Sequence, residues 1–105
     1  MFVATQSMKG WMMAKVTAQQ ILKDAAILKE QKSKDYQGSQ WAEADYFPYG
    51  ELSYMHMLWT KMLRLRSVLE REDGDVNFES AEDTLIDMIN YAAMMAAYME
   101  NKKNG

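Results

Sequence analysis

The segment Glu79-Ser80-Ala81-Glu82-Asp83-Thr84-Leu85-Ile86-Asp87-Met88-Ile89-Asn90-Tyr91 sets carboxylates at four-residue steps. On a helix, Glu79, Asp83 and Asp87 stand one above another, and Asn90 or Tyr91 continues the same face. Like charges at that spacing repel, so something must offset them. A hard cation such as Mg²⁺ would do so, because it prefers carboxylate oxygens. A basic helix face would also serve, and the chain has one: Lys61, Arg64 and Arg71 recur at steps of three and seven, with His56 and Thr60 near the start of the stripe.

Each of these residues also has a plainer role open to it. Glu79, Glu82 and Asp83 suit the first turn of a helix, where acids interact favourably with the helix dipole. Asp87 lies between Leu85-Ile86 and Met88-Ile89, and the following turns are nearly all apolar, so the helix is expected to be buried on most sides. A carboxylate there must be paired or bound to metal, and the structural alternative is an ion pair with Lys61 or Arg64. His56 has no second histidine with which to build a zinc site. The abundant methionines, Met94, Met95 and Met99 among them, read as soft filling of a core or subunit interface.

Three helices would position these groups. From Thr17, which can cap the start, Ala18, Ile21, Leu22, Ala25 and Leu28 recur at helical spacing, and the helix should end near Ser33 to Tyr36. A long loop follows, broken by Gly38, Pro48 and Gly50 and holding Trp41, Tyr46, Phe47 and Tyr49. Long loops in small domains are often lids or binding loops. The second helix should run from Glu51 to Arg71, with Leu52, Met55, Trp59, Met62, Leu65 and Leu69 buried and the cations on the other side. After the break at Asp73-Gly74-Asp75, a third helix begins between Asn77 and Ser80 and runs to about Asn101. No comparable strand pattern or internal repeat occurs. The fold class is therefore all-α, a small bundle of three principal helices with one long aromatic loop. Residues 1–16 form an N-terminal extension to which no function is assigned, and residues 17–105 form a single domain.

Composition narrows the function. A chain of 105 residues, 49% hydrophobic and 26% charged with a single proline, is one folded domain. The net charge of −3 argues against a broad footprint for nucleic acid. The absence of cysteine excludes disulfides, thiolate metal sites and cysteine nucleophiles. The longest apolar run, Tyr91 to Met99, is too short to span a bilayer, and a cytoplasmic protein with no membrane partner is expected. No Gly-rich phosphate loop or nucleophile elbow occurs. A homodimer or higher homo-oligomer is expected, because the Met- and Ala-rich third helix presents more apolar surface than two partner helices can cover.

Three stretches together carry a resemblance: Lys34-Asp35-Tyr36 before a glycine-containing loop, the basic helix from Trp59 through Lys61 and Arg64 to Leu65, and the Glu79-to-Tyr91 motif. Over about residues 18 to 100 the chain resembles the phage and bacterial nucleotide-modification-associated domain, and through it the all-α MazG-like nucleoside triphosphate pyrophosphohydrolases. The resemblance implies a helical bundle that binds Mg²⁺, or Mn²⁺ in its place, around a nucleotide's phosphates. Glu79, Asp83 and Asp87 would hold the metal, with Asp83 and Asp87 catalytic. Lys61 and Arg64 would neutralise phosphate oxygens, Trp41 or Tyr46 would stack on the base, and Asp35 would contribute to substrate binding. In the related hydrolases a metal-activated water releases nucleoside monophosphate and pyrophosphate.

Two departures from the MazG-like pattern stand out. The first helix offers Asp24, Glu30 and Asp35 in place of a paired-glutamate EExxE, and Thr84 occupies the position three before Asp87 where an ExxD motif has glutamate. The expected function is thus Mg²⁺-dependent pyrophosphohydrolysis or nucleotide binding in that mould, with a non-catalytic helical interaction module as the alternative. If the cations receive phosphate, Lys61 and Arg64 should face the three carboxylates across a water-filled cleft, too far apart for direct salt bridges.

Overall fold

The computed structural model describes residues 15–38, 41–71 and 80–105. Residues 1–14 of the expected extension lie outside that range, as do Glu79, Asn77 and the Asp73-Gly74-Asp75 break. Helix α1 spans Ala18–Gln37, and the Thr17 hydroxyl accepts a hydrogen bond from the Gln20 N–H at 3.2 Å, as its capping role requires. The expected loop contains a one-turn helix α2, Glu43–Tyr46, in which the Asp45 carboxylate accepts from the Ala42 N–H at 2.9 Å. Pro48 and Gly50 then turn the chain, and the Gly50 N–H returns to the Phe47 carbonyl at 3.2 Å. Gly50 has φ +59°, a conformation that favours glycine, and it precedes α3, Glu51–Glu70.

Helix α4, Ala81–Asn104, starts from Ser80, whose hydroxyl accepts from the Asp83 N–H at 3.0 Å. Glu82 and Asp83 lie in its first turn and Lys102 and Lys103 in its last, each sign where the helix dipole favours it. The protein is all-α, with three substantial helices and no strand among the described residues. None of its described helices is long and apolar enough to cross a membrane.

Helix α4 is the centre of the packing: α3 lies along it closely and α1 more sparsely. Phe47, Tyr54 and Met94 form the core cluster, with Met57, Tyr91 and Met95 packed against it. The Phe47 and Tyr54 rings stack with centroids 4.4 Å apart, and Tyr91 meets Phe47 edge-on at 6.1 Å. Phe47 therefore ties the aromatic loop into the core. Ala25 of α1 and Thr84 and Ile86 of α4 are also buried.

The face of α3 differs from the sequence expectation. Leu52, Met55, Trp59, Met62 and Leu69 are exposed, with Leu52, Trp59 and Leu69 at 67%, 62% and 68%, while Leu65 is half-buried. The side turned inward carries Tyr54, Met57, Leu58, Lys61, Leu65 and Val68 instead. Both stripes repeat at steps of three and four, so periodicity cannot choose between them. The choice follows from partners on other elements: Phe47 for Tyr54, and Asp87 for Lys61. Helix α4 is likewise less enclosed than expected, with Leu85 and Met99 partly open.

Candidate functional site

Two carboxylates organise the polar contacts among α1, α2, α3 and α4. On α4, one Asp87 oxygen lies 2.9 Å from Lys61 Nζ of α3 and the other 3.6 Å from Lys32 Nζ of α1. The Asp87 and Lys61 side chains are only 16% and 14% exposed, so their pairing is shielded from solvent screening. Two ammonium groups from different helices thus converge on one carboxylate. The expected open cleft is corrected here: Lys61 makes a direct salt bridge to Asp87, because desolvating either charge alone would cost more than the pair.

On α2, one Glu43 oxygen accepts a hydrogen bond from the Tyr54 hydroxyl at 2.8 Å, and the other lies 3.7 Å from Lys29 Nζ. Lys29 also donates to the Ser33 hydroxyl at 2.9 Å. Lys29 and Lys32 are three residues apart on α1 and therefore neighbours on its surface. Beside Glu43 opens a cavity of about 430 Å³, within the range of small-molecule sites. Phe47, Tyr54 and Tyr98 wall it, and Ala93 and Ala97, one turn apart on α4, leave it room. Asn101 adds an amide at its edge. Asp87 lies about two turns of α4 from this cavity, or about 10 Å along the axis. Between them, the Asn90 side-chain amide nitrogen is buried without a hydrogen-bond partner among the described residues.

The remaining expected site residues do not gather at one point. Arg64 is exposed and lines a groove of about 320 Å³ on α3 with Thr60, Ser67 and Arg71, whereas Lys61 turns inward three residues earlier. Asp83 is exposed at the α4 cap, and Asp35 is exposed near the end of α1. Trp41 and Tyr46 are about half exposed, and Tyr46 lines a separate groove with Pro48, Tyr49, Leu52 and His56. Among the described residues, no three His, Asp or Glu side chains converge to hold a metal ion. Asp87 faces ammonium groups instead.

Sequence reasoning missed Lys32, Lys29, Glu43, Phe47, Tyr54 and Tyr98. A usable signal was the Ala93/Ala97 pair at a four-residue step, which leaves a recess between Met94 and Tyr98 on that part of α4. With this geometry described, the family can be stated. Residues 32–98 match nucleotide modification associated domain 1. The chain belongs to that family. The matched segment runs from Lys32 to Tyr98 and so includes Glu43, Tyr54, Lys61 and Asp87. No curated protein and no solved structure matches the chain.

Proposed function

We propose that this member of the nucleotide modification associated domain 1 family binds a nucleotide. Its phosphates would lie at the Lys32–Asp87–Lys61 cluster and its nucleoside in the aromatic cavity beside Glu43. The observation that carries this reading is the convergence on Asp87 of two lysines from different helices, which sets two ammonium groups about one point. Lysine ammoniums are compact point charges that bind phosphate without the fixed fork of arginine. The cavity supports the reading through its stacked aromatic wall and a carboxylate that can accept from base or sugar donors. Mg²⁺-dependent release of pyrophosphate is the enzymatic extension that the resemblance to MazG-like hydrolases implies. In it Glu79, Asp83 and Asp87 would hold the metal, with Thr84 standing where the MazG-like ExxD motif has glutamate.

Calorimetric titration with a nucleoside and its mono-, di- and triphosphate, each with and without Mg²⁺, tests the proposal. Affinity should rise with phosphate number, and Lys61→Ala should weaken the triphosphate more than the nucleoside. No heat and no thermal shift from any member of a broad base panel would overturn it. A pyrophosphate assay on the same mixtures tests the enzymatic extension. The interaction-module reading draws on a different observation, the uncovered apolar face of α3.

A further inference from the structure

Helix α3 presents outward Leu52, Met55, Trp59, Met62, Leu63 and Leu69, each about half exposed or more. Their steps keep them on one side of the helix, so they form a continuous stripe and not scattered surface residues. Contiguous apolar surface of this kind marks an interaction site. The radius of gyration, 16.1 Å against about 13 Å for a compact 100-residue domain, is that of an elongated molecule.

We propose that this stripe pairs with the same stripe of a second copy, the two α3 helices running antiparallel. The sequence of the stripe carries the argument, because its two ends and its middle mirror each other about the point between Thr60 and Lys61. An antiparallel pair centred there sets Leu52 against the partner's Leu69 and Trp59 against the partner's Met62. It also sets Met55 against the stem of the partner's Arg66. Two-fold interfaces require this self-complementarity, in which each pair of facing residues occurs twice, once with its members exchanged between the copies.

The charges are consistent with that register. At each end it brings Glu51 near the partner's Glu70, but both acids already hold cations of their own chain: Lys102 at 2.8 Å and Arg66 at 2.9 Å. Antiparallel helices also set each dipole's positive end beside the other's negative end. At the N-terminal end of the stripe, the groove lined by Tyr46, Pro48, Tyr49, Leu52 and Met57 has a volume of about 270 Å³ and lies where the partner's Leu69 would enter. The sequence alone had placed the dimer contact on the third principal helix, whereas the exposed stripe places it on the second.

Light scattering coupled to size-exclusion chromatography should give twice the 12.2 kDa chain mass. Trp59→Glu and, separately, Leu69→Glu should halve it while circular dichroism retains the helical signal, since both side chains are exposed in the single chain. A monomeric wild-type protein, or a dimer that survives both substitutions, would overturn the proposal. The register is tested by disulfide trapping, which the absence of native cysteine makes clean. A mixture of Leu52→Cys and Leu69→Cys chains should form the mixed disulfide, and Leu52→Cys alone should form none. Efficient self-crosslinking of Leu52→Cys would mean a parallel pair and would refute the antiparallel register.

Discussion

Asp87 shows how one side chain on α4 can tie α1 and α3 to it. Its carboxylate is shared between Lys61 and Lys32, and Lys61 is the more enclosed of the two cations. Asp87→Asn would remove the carboxylate that pairs with the Lys61 ammonium in a place where water reaches it poorly. The expected cost is about 2 kcal/mol, or on the order of 10 °C in melting temperature for a domain of this size. Lys61→Met should cost less, because it removes the enclosed charge and leaves Asp87 with Lys32. Thermal melts of the two variants check the order, and an Asp87→Asn protein as stable as wild type would contradict it. Gly50 carries a second constraint. A Cβ there would stand 2.6 Å from the Tyr98 hydroxyl oxygen and 3.1 Å from the ring carbon that bears it, at a positive φ. Gly50→Ala is expected to destabilise by about 1–3 kcal/mol. Adding Tyr98→Leu should relieve the collision and leave the backbone strain, so the double variant should recover only part of the loss.

At the scale of elements, helix ends were legible in the sequence because caps are local chemistry. Thr17 and Ser80 each accept from the third residue onward, and Pro48 with Gly50 forms the turn before α3. The buried face of α3 was not legible, since Tyr54-Met57-Leu58-Lys61-Leu65 and Leu52-Met55-Trp59-Met62 share one period and differ only in what lies opposite. Lys61 looked like a surface cation for the same reason: the acid that draws it inward is on another helix. The candidate site was therefore legible only as an ion pair: Asp87 with Lys61 was one of the two pairings that spacing and context offered, while Lys32, Glu43 and Tyr54 depend on how α1 and α2 dock.

The ends of α3 and α4 are tied by an exposed pair, Lys102 with Glu51 at 2.8 Å. The hydrogen bond from Lys102 holds the Glu51 carboxyl below its ordinary 4.5, and the same bond holds the Lys102 ammonium above 10.5. The Glu51 contribution is thus present above pH 4.5 and fades as pH falls through the lowered value. The Lys102 contribution is present below pH 10.5 and fades as pH rises through the raised value. The difference in melting temperature between wild type and Glu51→Gln should therefore be small and level near neutrality, and shrink toward zero in acid. Added salt should reduce it throughout.

Among the described residues few side chains are fully buried and one long face of α3 is exposed, so stability and association are expected to be linked. If α3 pairs with a copy, melting temperature should rise with protein concentration, as mass action requires when only the folded chain associates. A dilution series of thermal melts checks this, and Trp59→Glu should abolish the dependence. Helix α1 has a different standing: it packs thinly on α4, yet it brings both Lys29 and Lys32 to the site. Segments with few packed contacts open at low free-energy cost. Backbone amides of α1 should therefore exchange with deuterium sooner than those of the α3–α4 pair. A ligand gripping Lys32 would have to hold α1 shut, and slowed exchange across Ala18–Gln37 would report its binding far from the point of contact.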